Sequence, residues 1–182
     1  MVTPSGYSPP WTSFTILKHG PGDDHLSAMY CLAAAARWFH RFDYPKKPTI
    51  PGILQTVMAA VPSAVPKTGL TEKHLRMAAD SYDLRVYRPN QGGIMDTDWP
   101  PDWIWLAAVR GLPVPRFREP PSDRRYVLVL GLPDDQARYL VADPHPETPD
   151  TYKVPIEKFG PAWEAGATRT HKPWAVVITS MW

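Results

Sequence analysis

Midway along this chain the hydrophobic residues change their period, and few architectures accommodate such a change. Up to Tyr82 they fall at helical spacing, and from Tyr126 onward they come in short runs of β-formers. Asp23 or Asp24 is placed to cap a helix through Leu26, Met29, Tyr30, Leu32 and the Ala33 to Ala36 run, ending at Phe39. Its apolar positions nearly encircle it, which predicts a helix in the middle of the domain. A second helix starts near Thr49 and carries Ile50, Ile53, Leu54, Val57, Met58 and Val61. A third follows Gly69, with Thr71 as cap and Glu72 in its first turn, and presents Leu75, Ala78, Ala79 and Tyr82. A short fourth helix is expected between Asp102 and Gly111, carrying Trp103, Leu106 and Ala107.

In the second half, Tyr126 to Gly131 and Arg138 to Ala142 read as a hairpin turning at Pro133-Asp134-Asp135. Tyr152 to Val154 is a third strand and Trp174 to Thr179 a last one. Ile156 to Trp163 reads as a short helix interrupted at Gly160-Pro161, and Leu84 to Tyr87 and Pro113-Val114 as edge strands. Helices first and an antiparallel sheet afterwards is an α+β order. No repeat or linker divides the chain, so residues 1–182 are read as one domain with a Pro-rich arm over 1–13.

Composition narrows the partners. Basic and acidic residues are interspersed to a net charge of +2, with no Lys/Arg run to meet nucleic acid. A single cysteine, Cys31, excludes an internal disulfide and any multi-cysteine metal site. His19, Asp23, Asp24 and His25 match no common ligand spacing, and neither metal nor cofactor is expected. No apolar run reaches membrane-span length and no signal-like segment opens the sequence, so the expected location is the cytoplasm. The 23 prolines cluster in connections, where they stiffen loops. Trp99, Trp103 and Trp105, with Pro100-Pro101, either wall a groove for an extended peptide or apolar ligand, or serve as core and loop cover.

Several phrases resemble the papain-like peptidases that cut bacteriocin leaders after a double glycine. The buried Ala-rich helix ending Arg37-Trp38-Phe39 is similar to that family's nucleophile helix, and Gly69-Leu70-Thr71 to its second helical element. Val109-Arg110-Gly111-Leu112-Pro113-Val114 resembles its short helix and Gly-x-Pro-Val turn. Arg125 to Gly131 resembles its histidine-bearing strand, and Tyr139 to Pro144 the strand ending in Asp-Pro. The resemblance runs from about Phe14 to the C-terminus and implies N-terminal helices packed on a C-terminal antiparallel sheet.

A hydrolase of that kind needs a thiolate at a helix N-terminus, a histidine on the sheet, an acid to orient it and an oxyanion donor. The resemblance puts the nucleophile slot near Ser27 or His25, the histidine slot at Arg125 and the orienting acid at Asp143. Arginine is no general base at neutral pH. Cys31 lies one turn deeper, and Lys18-His19-Gly20-Pro21-Gly22 offers no glutamine. The reading is a catalytically degenerate domain binding a peptide or small-molecule ligand between the Ser27 helix and the Arg125 strand, with His25, Arg125, Trp103 and Trp105 as contacts. The resemblance implies a precursor peptide or partner enzyme of a biosynthetic pathway as partner. The alternative is an amide hydrolase, cyclase or acyltransferase using Ser27 or Cys31, with Asp143 and His145, or else His171, His19 or His25, in support.

Overall fold

A computed structural model describes residues 13–40, 49–61, 71–88, 93–95, 100, 103–115, 117, 119–131, 137–167 and 173–181. The Pro-rich arm through residue 12, the Pro133–Asp135 turn, Gly69, Leu70, Trp99, Pro101, Asp102 and His171 lie outside the described residues.

The first helix is reached through a one-turn 3-10 helix, Asp24–Leu26, and α1 itself spans Ser27–Phe39. The expected aspartate cap is not formed: no side chain caps either segment, and the Asp23 backbone carbonyl accepts from Leu26 N at 2.8 Å instead. Alanine is the best helix former, and the small Ala33–Ala36 run lets α1 be covered all round, by α2 (Ile50–Ala59), α3 (Glu72–Asp80) and the sheet. Thr49 caps α2 by accepting from Gly52 N, and Thr71 caps α3 by accepting from His74 N, both at 3.3 Å.

Six antiparallel strands follow: β1 (Leu84–Tyr87), β2 (Ile104–Val109), β3 (Arg125–Gly131), β4 (Arg138–Ala142), β5 (Thr151–Pro155) and β6 (Ala175–Ser180). Their order across the sheet is β1-β6-β2-β3-β4-β5. The expected α+β architecture is therefore present, with α1–α3 on one face. A fourth helix, α4 (Ile156–Ala165), covers the other.

Three local expectations are corrected. The segment between Asp102 and Gly111 is no helix but β2, hydrogen-bonded to β3 on one side and β6 on the other and buried at every position. Pro113 and Val114 belong to no strand. Helix α4 runs through Gly160-Pro161 without a break, because Pro161 lies on the exposed side and the carbonyl it leaves unpaired, that of Glu157, belongs to an exposed residue.

Candidate functional site

The start of α1 is fastened to the start of β3 by one hydroxyl. Ser27 Oγ donates to the carbonyl of Asp24 and accepts from Tyr126 N at 2.8 Å, and the side chain is 0% exposed. Its proton sits on a carbonyl and not on a base. Cys31, one turn further along, is equally buried, and Sγ donates to Tyr126 O at 3.4 Å. Burial pushes this thiol well above the ordinary cysteine range, and the Asp143 charge adds to the effect. Among the described residues, neither Ser27 Oγ nor Cys31 Sγ is hydrogen-bonded to a base, and both side chains are fully buried. His25 lies half-buried in the 3-10 turn.

Arg125 opens β3 and Asp143 follows β4, and the pairing of those strands brings the two together. Arg125 Nε lies 3.2 and 3.1 Å from Asp143 Oδ1 and Oδ2, and Nη2 donates to Oδ2 at 2.8 Å. Both side chains are 0% exposed. Tyr152 Oη donates to Oδ2 at 2.7 Å and His145 N to Oδ1 at 3.0 Å, so the carboxylate's lone pairs are fully used. Burial alone would raise the Asp143 pKa; the Arg125 charge and these hydrogen bonds outweigh it and hold the group below the usual carboxylate range. Arg125 is thereby a buried, paired cation rather than the accessible ligand contact expected of it, and the Tyr126–Ser27 bond joins α1 to β3 where the cleft was expected.

Accessible chemistry begins one layer out. Lys18 Nζ donates to Asp143 O at 2.7 Å, Pro149 O at 3.0 Å and Thr148 Oγ1 at 3.3 Å, fixing the loop after β4. His19 N donates to Pro144 O at 3.0 Å, so the segment before α1 runs against that loop. The His19 ring then meets His145 edge-to-face at 6.0 Å and Tyr30 at 5.9 Å. His145 is half-exposed, and Nδ1 accepts from Glu147 N at 3.3 Å. Burial, aided by the Arg125 charge, lowers its pKa. Asp24 Oδ1 lies 3.6 Å from His19 Nε2, so His19, Asp24, His145 and Tyr30 are brought together.

Trp103 and Trp105 are not brought there. Trp105 is 2% exposed in the core under α4, with Trp103 packed at its edge, whereas Ser27 and α1 lie against the opposite face. Tyr152 was missed by sequence reasoning. Its signal is a phenol alternating with Val154 on the inward side of a strand, since a buried phenol needs a partner. Among the described residues, no three His, Cys, Asp or Glu side chains lie close enough to hold a metal.

No family model and no curated protein matches the sequence. Among solved structures, the chain is similar to the peptidase domain of ComA from Streptococcus, a bifunctional ABC transporter of a quorum-sensing pathway. The TM-score is 0.52 at 14% identity, over 92% of this chain and 98% of that one. Xylellain, a cysteine protease from Xylella fastidiosa, aligns at TM-score 0.47 and 12% identity, over 92% and 83%. The ComA likeness bears on fold alone, and that fold is the papain-like α+β arrangement.

Proposed function

We propose that this domain has the papain-like frame without its hydrolytic chemistry, and that it binds a peptide or small-molecule ligand where the start of α1 meets the loop after β4. The observation that carries this reading is the residue at the head of β3. A proton-accepting histidine is needed there, and Arg125 stands there instead, locked to Asp143 and held protonated. The ComA neighbour is a peptidase domain, which makes a peptide the first ligand class to test. A precursor peptide or partner enzyme of a biosynthetic pathway fits the resemblance in sequence.

Reactivity tests the loss of chemistry. Native protein is treated with iodoacetamide and with a fluorophosphonate, and modified residues are located by mass spectrometry. The expected result is no label on Ser27 and label on Cys31 only after denaturation. Rapid native labelling of either residue would overturn the reading.

A further inference from the structure

His19 and Asp24 face one another in an arrangement that a neutral His19 ring cannot complete. His19 Nδ1 lies 2.8 Å from Gly20 O, and a carbonyl only accepts, so Nδ1 carries the hydrogen. The neutral ring then presents a lone pair at Nε2. That atom, on a side chain with 0% exposure, lies 3.6 Å from Asp24 Oδ1, another acceptor. The separation is beyond a hydrogen bond, and neither atom has a hydrogen-bond partner among the described residues. Two buried lone pairs left unmatched are unfavourable, and a donor that directs one N–H at each relieves both.

The surroundings select the kind of donor. Among the described residues neither Asp23 nor Asp24 forms an ion pair with a lysine or arginine. The nearby cations are already engaged, Lys18 by Asp150 and three loop oxygens and Arg125 by Asp143. The Asp23 charge reaches Tyr30, whose ring packs on His19. With no third metal ligand among the described residues, the fitting occupant is an organic cation bearing several N–H groups. We infer that the His19–Asp24 pair is an anchor for a protonated primary amine, either a peptide N-terminus or a lysine-type side chain. For the amine to reach the two atoms, the half-exposed His145 ring and the Asp24 carboxylate, 15% exposed, have to turn aside. This inference rests on the ligand-binding reading above and names the group that the ligand presents.

The test follows the histidine ring signals by NMR during titration with glycinamide and with n-butylamine, using N-acetylglycinamide and N-butylacetamide as uncharged controls. A saturable shift of the His19 and His145 signals with the amines only, weakened roughly tenfold or more in Asp24→Asn and in His19→Gln, is the expected result. A response to glycinamide alone assigns the site to a chain terminus, and a response to n-butylamine alone to a side chain. Equal response to amines and controls, or none to either, overturns the inference and leaves the two residues as a self-contained proton-sharing pair. Release of glycine from glycinamide, read by mass spectrometry, would instead overturn the non-hydrolytic reading while leaving the amine site standing.

Discussion

The guanidinium of Arg125 holds the carboxylate of Asp143 through hydrogen bonds of 2.8 to 3.2 Å, with no exposed surface on either side chain. Breaking one side of such a pair leaves a buried charge without compensation. Arg125→Met and Asp143→Asn should each destabilise by about 3–5 kcal/mol, with a double variant losing much less than the sum. Urea unfolding of the four proteins measures the coupling directly.

Acid should erode the same interaction. The folded-state pKa of Asp143 lies below its unfolded value, so its contribution is complete above the ordinary aspartate range, about 4, and is lost as pH falls through the folded value. At pH 7 Asp143→Asn should be the less stable protein, and the gap should narrow in acid. Urea midpoints from pH 7 to pH 3 check the sign.

Ser27→Ala should act on stability. It removes the acceptor for Tyr126 N and leaves that amide buried and unpaired, at a cost of about 1–3 kcal/mol. Thermal unfolding reads the loss.

Gly166 ends α4 where a Cβ would stand 2.3 Å from Ala108 O on β2. Gly166→Ala should therefore push the helix off the sheet and cost about 1–3 kcal/mol, visible as a lowered Tm.

The cap Thr71, the start of α2 near Thr49 and the all-round burial of α1 were legible because each is a local pattern in the sequence. The strand β2 was not. Ile104-Trp105-Leu106-Ala107-Ala108-Val109 is buried on both faces, so it lacks the alternation that marks a strand, and its alanines favour a helix; pairing to β3 and β6 decides the matter. The site was legible in part. Arg125 and Asp143 could be paired on paper, but the joining of α1 to β3 by Ser27 and Tyr126 depends on how α1 docks. The meeting of His19 with His145 depends on the hydrogen bond from His19 N to Pro144 O.

The most direct measurement of the central claim is peptide cleavage. Purified protein is incubated at neutral pH with a degenerate peptide mixture that includes double-glycine sequences, and products are followed by mass spectrometry. The account predicts no cleavage above that of buffer. Cleavage that disappears in Ser27→Ala or Cys31→Ala, with the variants still folded, would contradict it.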